Sequence, residues 1–202
     1  LFPHPKQHFN QCLLCLAPCY TSLCLDCYED LPWLGNHCQQ CALPLPHQGI
    51  CGHCLTHSPA FDQVWAPWLF ESPIKEVIHQ FKYQGNLRSE HLLTSLTASY
   101  CHSRWQQTPF EFDLILPVPL HYRRLFMRGF NQAYQLANAI GKRLQHPVNN
   151  NVIRRMRHTD KQEGLNAKQR QVNLLHAFAI NTSVKDQHIL LVDDVITTGA
   201  TA

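Results

Sequence analysis

Four Cys-x-x-Cys pairs between residues 12 and 54 constrain the fold of this chain more than any other feature of its sequence. Eight residues separate the first two pairs and nine separate the last two, so equivalent cysteines lie 26 or 27 residues apart. This repetition indicates an internal duplication. The pairs are Cys12/Cys15, Cys24/Cys27, Cys38/Cys41 and Cys51/Cys54.

The spacing of these pairs is typical of zinc sites. Two cysteines three residues apart on a tight turn direct both sulfurs at one ion, and two such pairs complete a tetrahedral four-thiolate site. A closed shell of this kind leaves no position for water, so the sites are expected to be structural. A module this short has little hydrophobic core, and metal binding would supply its folding free energy. The sequence therefore predicts two structural Zn²⁺ ions in a double zinc-ribbon module over residues 1–58.

Other interpretations of the cysteines stay open at this point. A disulfide framework is disfavoured because the chain shows no secretion signal. Duplication favours sequential pairing of the Cys-x-x-Cys motifs, and an interleaved cross-brace is the alternative. Cys19, His37 and His53 lie among the ligands and could replace one of them. Cys101 falls in a helical pattern and is expected to be a buried thiol.

Residues 59–202 show a different pattern, with apolar strands alternating with amphipathic helices. This alternation predicts a doubly wound, Rossmann-like α/β domain. The apolar content of 45% suffices for one sizeable core and a small satellite domain. Helices are predicted over 72–83, 89–105 and 133–144, and strands over 64–70, 112–120, 148–156, 176–180 and 188–194.

The stretch ILLVDDVITTGATA (189–202) carries the clearest ligand-binding signal. An apolar strand ends in Asp193 and Asp194, and ligands of open α/β sheets bind at the carboxyl ends of strands. The two carboxylates can accept hydrogen bonds from the vicinal hydroxyls of a ribose. The loop that follows would present backbone N–H groups and hydroxyls to a phosphate. Its residues are Thr197, Thr198, Gly199, Ala200 and Thr201.

This stretch resembles the 5-phosphoribosyl-binding motif of type I phosphoribosyltransferases. An acid pair after a strand also occurs in receiver domains and metal-dependent phosphatases, but those lack the TTGAT sequence. Over nearly the whole chain, the order of motifs is similar to that of the ComF family. The motifs are the four cysteine pairs, QFKYQG (80–85), LPVPLHYRRLFMRGFNQA (116–133) and VDDVITTGAT (192–201).

The resemblance implies a type I phosphoribosyltransferase-like domain that binds phosphoribosyl pyrophosphate (PRPP) together with Mg²⁺. Asp193 and Asp194 would hold the ribose, and the loop of 197–201 would hold the 5-phosphate. The loop after the PVPL strand would hold the diphosphate, through Arg123, Arg124, Arg128 and Gly129. A flexible loop over 159–173 would add Lys161, Lys168 and Arg170.

The resemblance further implies a role in DNA uptake, competence or the use of DNA as a nutrient. As an enzyme, the protein would transfer ribose 5-phosphate from PRPP to a nitrogen nucleophile and release pyrophosphate. As a non-catalytic alternative, it would bind single-stranded DNA or act as an adaptor for DNA-uptake proteins. The basic clusters 121–128 and 154–170, with Tyr122, Phe126 and Phe130, would then contact the DNA. The same arginines serve both hypotheses, so the sequence does not separate them.

Composition sets a few further expectations. A net charge of +3 does not by itself indicate a nucleic-acid-binding protein. The sequence contains no run of 18 apolar residues and no signal-peptide pattern, so we expect no membrane span and a cytoplasmic location. ComF-family chains continue past the TTGAT loop with a further helix and strand. We therefore expect this chain to be a C-terminally truncated fragment that binds PRPP poorly.

Overall fold

The computed structural model describes residues 10–108, 111–157 and 177–196. The cysteine-rich region contains the short elements β1 (Asn10–Gln11), β2 (Pro18–Cys19), α1 (Leu25–Glu29) and α2 (Gly52–Thr56). The helices after it are α3 (Ile74–Gln84), α4 (Leu87–Gln107), α5 (Tyr122–Arg128) and α6 (Gln132–Leu144). The strands are β3 (Leu114–Pro117), β4 (Ile153–Arg155), β5 (Phe178–Ile180) and β6 (Ile189–Val192).

The predicted α/β architecture and its three long helices are confirmed. Apolar residues at helical spacing form the buried face of α3, which packs on α4. The helix ends at Gly85, whose φ of 58° lies in the left-handed region that favours glycine. Asn86 then caps α4 by accepting hydrogen bonds from the N–H groups of Arg88 and Ser89.

A parallel pair of strands positions the ligand-binding edge. β3 and β6 pair in parallel from Leu114 opposite Ile189 to Pro117 opposite Val192. The pairing extends past the strands, because the N–H of Val118 donates to the carbonyl of Val192 at 2.9 Å. Parallel strands place their carboxyl ends on the same side of a sheet. The residues that follow Pro117 and Val192 therefore lie together at the carboxyl ends of the two strands, a place that we call the β3–β6 edge.

Three local expectations differ from the structure. In the predicted strand 64–70, only Trp68 forms a β-bridge, with Trp33, and Pro67 lacks the N–H that a continuous ladder requires. A doubly wound domain is expected to have one parallel sheet, but the described strands form three two-stranded sheets. One of these is the antiparallel pair of β4 and β5. The segment expected as a diphosphate loop forms helix α5 instead. His121 caps that helix by accepting a hydrogen bond from the N–H of Arg123.

The two halves of the cysteine-rich region pack differently. In the first half, Cys12, Leu23 and Leu31 belong to the same hydrophobic core as the buried faces of α3, α4 and α6. In the second half, Cys38, Cys51 and Cys54 form a small cluster of their own. Only the first half therefore shares the core that underlies the β3–β6 edge.

Within the described segments, no helix combines the length and the apolar character needed to span a bilayer.

Candidate metal centres and ligand pocket

The eight paired cysteines form two clusters, Cys12/Cys15/Cys24/Cys27 and Cys38/Cys41/Cys51/Cys54. Within each cluster all sulfur atoms lie within 4.8 Å of one another. This is the sequential pairing that the duplication favours. The Sγ atoms of Cys15 and Cys24 are 3.6 Å apart, and those of Cys41 and Cys51 are 3.7 Å apart. A tetrahedral zinc site with Zn–S bonds of about 2.3 Å requires about 3.8 Å between sulfurs, so the donor sets fit Zn²⁺.

Backbone N–H groups point at the sulfurs in both clusters. The N–H of Cys27 donates to Cys24 Sγ at 3.5 Å, and the N–H of Cys54 donates to Cys51 Sγ at 3.4 Å. At the buried Cys12 and Cys38, burial alone would raise the thiol pKa. Backbone hydrogen bonds outweigh that effect and lower both pKa values to about 6. At these two positions the fold favours the thiolate form that zinc requires, whereas contacts with neighbouring thiols help to raise the pKa of Cys27 and Cys54.

The other candidate ligands have different contacts. Cys19 Sγ donates to the carbonyl of Thr21 at 2.9 Å. His37 Nδ1 hydrogen-bonds to the carbonyl of Gly35 at 2.6 Å, and the His53 ring stacks on His57. Cys101 is buried in α4, and burial raises the pKa of its thiol to about 12, so it remains a neutral thiol. These residues lie beside the four-cysteine clusters and do not complete them.

Asp193 and Asp194 follow β6 at the edge predicted to bind ligands. Both line one large pocket together with residues of α3 and residues around α5. Lys82 Nζ lies 2.9 Å from Asp194 Oδ2 in a largely buried ion pair. The backbone N–H of Asp194 donates to Asp193 Oδ1 at 2.8 Å, which fixes the Asp193 carboxyl group against the chain.

The environment of Asp193 disfavours its charged form. The Asp193 residue is exposed at its surface, but protein atoms surround the carboxyl group densely enough to desolvate it. This desolvation is the main cause that raises the pKa of Asp193 to about 7, and the charge of Asp194 raises it further. Lys82 and Arg155 oppose the shift only in part. Near neutral pH, Asp193 therefore exists in both the protonated and the ionised form.

Positively charged groups also line the pocket, and one of them, Arg155, lies close enough to Asp193 for their charges to interact. Arg128 Nη1 donates to Gln132 Oε1 at 2.6 Å, and the Arg128 guanidinium lies 5.2 Å from the centroid of the Tyr83 ring. Arg124 and Arg155 line the same pocket. Burial, followed by the nearby charge of Arg124, lowers the pKa of Arg155. The pocket thus combines an acid pair with three guanidinium groups, a pattern suited to a ligand with hydroxyls and anionic oxygens.

The structure separates the residues expected at the diphosphate loop. Arg124 and Arg128 reach the pocket, and Gly129 ends α5 with a φ of 80°. Arg123 lies outside the lining that the described residues form, and its guanidinium is 6.0 Å from the centroid of the Tyr122 ring. Proximity in sequence therefore does not put all three arginines at one site.

For several residues expected to bind ligand, the structure does not test that prediction. The loop Thr197, Thr198, Gly199, Ala200 and Thr201 lies outside the described residues, as do Lys161, Lys168 and Arg170. Phe130, expected to stack on bases, instead packs on Phe81 with ring centroids 5.4 Å apart.

Three polar residues of the pocket lie outside every predicted site: Lys82, Tyr83 and Gln132. The motif QFKYQG contains the first two, but its sequence shows no partner for either side chain. Gln132 directly follows the RGFN sequence at the start of α6 and is 1% exposed. A buried glutamine at the first position of a helix is an unusual signal, but burial is not visible in the sequence.

Comparisons with known proteins agree with these observations. The family model of the double zinc ribbon domain matches residues 1–55. The chain is 32% identical over 204 residues to competence protein F of Haemophilus influenzae, covering 96% of this chain and 88% of the relative. It is 32% identical to DNA utilization protein YhgH of Escherichia coli, covering 94% and 86%. Competence protein ComFC of Bacillus subtilis is 25% identical, with 89% and 74% covered. The chain therefore belongs to the ComF family.

Proposed function

We propose that this protein binds PRPP in the pocket at the β3–β6 edge and acts as a phosphoribosyltransferase-like protein in DNA uptake or the use of DNA. The observation that carries this proposal is the acid pair Asp193–Asp194 in one pocket with Arg128. The DNA role rests on the relatives, which are named competence protein F and DNA utilization protein.

The two kinds of charged group in the pocket match the two ends of the ligand. The carboxylates of Asp193 and Asp194 accept hydrogen bonds from the ribose hydroxyls, which lie on adjacent carbons. The guanidinium groups of Arg128 and Arg124 bind diphosphate oxygens through charge-assisted hydrogen bonds. Mg²⁺ bound with PRPP would neutralise part of the diphosphate charge through oxygen ligands. Asp193 is the described group best placed to contribute a carboxylate oxygen there, because Asp194 is already paired with Lys82.

In the transfer reaction, bond breaking at the ribose leaves positive charge on the sugar and negative charge on pyrophosphate. The protein's contribution is orientation of the sugar and electrostatic stabilisation of the leaving group. Arg128 suits the second task because Gln132 and Tyr83 already hold its guanidinium in place. The nitrogen nucleophile that accepts the ribose is not assigned by the described residues.

The experiment that tests PRPP binding is calorimetric titration of full-length protein with Mg²⁺–PRPP. Arg128→Ala is expected to weaken binding about 10- to 100-fold, since charge-assisted hydrogen bonds contribute about 1.5–3 kcal/mol. Arg123→Ala is the matched control, because that guanidinium lies outside the pocket. The double variant Asp193→Ala/Asp194→Ala should weaken Mg²⁺–PRPP binding without weakening binding of metal-free inorganic pyrophosphate. Wild-type protein that fails to bind PRPP, or equal loss in both arginine variants, would contradict the proposal.

Enzymatic turnover is tested separately. Wild-type protein is incubated with Mg²⁺–PRPP and a panel of nitrogen bases, and pyrophosphate release is measured. Release that depends on one base and is lost in Asp193→Ala/Asp194→Ala identifies a phosphoribosyltransferase. PRPP binding without base-dependent release would leave a binding protein on this fold.

A second candidate function is single-stranded DNA binding at α5. Phe126 is 90% exposed and Tyr122 is 67% exposed, and Arg123 lies beside Tyr122. Exposed aromatic rings next to arginine favour stacking with unpaired bases and contact with phosphates. Fluorescence anisotropy with a labelled oligothymidylate, repeated over a salt series, measures this binding. Phe126→Ala should weaken it about 5- to 100-fold. An unchanged affinity in Phe126→Ala would remove α5 as the binding surface.

A further inference from the structure

We infer that the end of α3 positions both halves of the pocket, with Lys82 holding Asp194 and Tyr83 holding Arg128. The two residues belong to the QFKYQG motif, to which the proposed function gives no role. This inference rests on the proposed function, because it assigns each residue to one end of PRPP. Lys82 and Tyr83 are positioning residues, since each acts through the group that it contacts.

The last turn of α3 is a rigid support. Phe81 is 1% exposed and stacks on Phe130, which anchors this turn to the chain that follows α5. Ser89 Oγ donates to Gln80 Oε1 at 2.8 Å and ties the turn to α4. The N–H of Gly85 bonds to the carbonyl of Gln80 and ends the helix. These contacts therefore hold in place the backbone from which the side chains of this turn extend.

Adjacent residues on this turn reach different elements because of helix geometry. Successive residues of an α-helix are rotated by about 100°, so neighbouring side chains leave the helix in different directions. Lys82 extends to Asp194 after β6, at an Nζ–Oδ2 distance of 2.9 Å. Tyr83 places its ring under Arg128, at the end of α5. One turn thus contacts the carboxylate end and the guanidinium end of the pocket.

The Lys82–Asp194 pair serves the carboxylate end. The side chains are only 20% and 16% exposed, so solvent screens the pair less than it would at the surface. The ion pair fixes the Asp194 carboxylate and offsets part of its repulsion with Asp193. A fixed carboxylate accepts a hydrogen bond from a ribose hydroxyl without first losing conformational freedom.

The Tyr83–Arg128 contact serves the guanidinium end. Tyr83 lies 5.2 Å from the guanidinium carbon, and the buried Gln132 accepts one N–H at 2.6 Å. A guanidinium has five N–H donors in a planar fork, so most of them stay available to an anion. With two contacts fixing its plane, Arg128 presents these donors in one orientation.

The test separates the two ends of the ligand. Full-length wild type, Lys82→Met and Tyr83→Leu are titrated by calorimetry with ribose 5-phosphate and, separately, with Mg²⁺–pyrophosphate. Lys82→Met should weaken ribose 5-phosphate binding about 10-fold and change pyrophosphate binding less than about twofold. Tyr83→Leu should weaken pyrophosphate binding about 3- to 10-fold, as expected for a cation–π contact, and spare ribose 5-phosphate.

Controls exclude a general loss of structure. Lys142→Met removes an exposed lysine of α6 and should change neither affinity. Tyr83→Phe keeps the aromatic ring and should restore pyrophosphate binding. Variants that lose both ligands equally, or neither, would overturn this inference while wild-type binding upholds the proposed function. Wild-type protein that binds neither ligand would overturn the proposed function and this inference with it.

Discussion

The two zinc ribbons have nearly the same cysteine spacing but different relations to the rest of the protein. Cys12 and Cys38 are both 0% exposed, and both have pKa values near 6 for the same physical reason. Cys12 nevertheless lies in the main hydrophobic core, whereas Cys38 lies in a small separate cluster. The duplication therefore repeats the metal chemistry without repeating the packing.

Contacts of the segment that follows Cys27 explain this difference. The N–H of Leu34 donates to the carbonyl of Pro67, and the N–H of Leu69 donates to the carbonyl of Pro32. Trp33 packs on Trp68 with ring centroids 5.8 Å apart. These contacts join the first ribbon to the chain that leads into α3, whose last turn carries Lys82. The first ribbon and α3 thus belong to one hydrophobic core.

Replacing one buried ligand in each ribbon gives the largest expected contrast. Cys12→Ser should lower the Tm of the whole chain by at least about 10 °C, because losing a structural zinc site removes several kcal/mol from a shared core. It should also abolish PRPP binding. Cys38→Ser should leave the main unfolding transition within about 3 °C of wild type. Scanning calorimetry and zinc content per chain measure both effects.

Zinc content is the internal control for that comparison, since each variant should lose one of two ions. Equal loss of Tm in Cys12→Ser and Cys38→Ser would show that the ribbons support the core to the same degree. The asymmetry in packing would then have no consequence for stability.

A matched pair of leucines tests the same contrast without disturbing the metal. Leu31, in the first ribbon, is 4% exposed within the main core, while Leu45 only partly covers the second cluster. Leu31→Ala should lower the free energy of unfolding by about 3 kcal/mol through lost burial and a cavity. Leu45→Ala should cost about 1 kcal/mol. Urea unfolding monitored by tryptophan fluorescence measures both, and a larger cost for Leu45→Ala would reverse our assignment of the shared core.

The sequence predicted the ligands of both ribbons because local spacing determines which sulfurs meet. It also predicted the acid pair, since an apolar strand ending in two aspartates places them at a sheet edge. The partners of that pair were not predictable. Lys82 and Asp194 are 112 residues apart, and only the packing of α3 beside the β3–β6 edge brings them together.

The family resemblance predicted a loop where the structure has helix α5. The segment after PVPL resembles a diphosphate loop, but His121 caps it and Gly129 ends it as a helical turn. In this helix the side chain of Arg128 lines the pocket, whereas Arg123 and Phe126 lie outside it. The division of one basic cluster between two surfaces follows from helical geometry, which a loop prediction does not contain.

The last expected effect concerns pH and distinguishes the pocket from both zinc ribbons. The pKa of Asp193 is raised from an ordinary value of 3.8 to about 7, so the folded protein holds this proton more tightly than the unfolded chain. The resulting stabilisation is complete below pH 3.8 and is lost as pH rises to about 7. In Asp193→Asn this loss should be absent, so the variant should gain stability relative to wild type between pH 5 and about pH 7. Urea unfolding at several pH values in this window, with zinc content verified at each, measures the difference. An unchanged difference between the two proteins across these pH values would mean that the Asp193 carboxyl is not desolvated in the folded pocket. Because Cys12 and Cys38 are identical in both proteins, any titration of the zinc ligands cancels in this comparison.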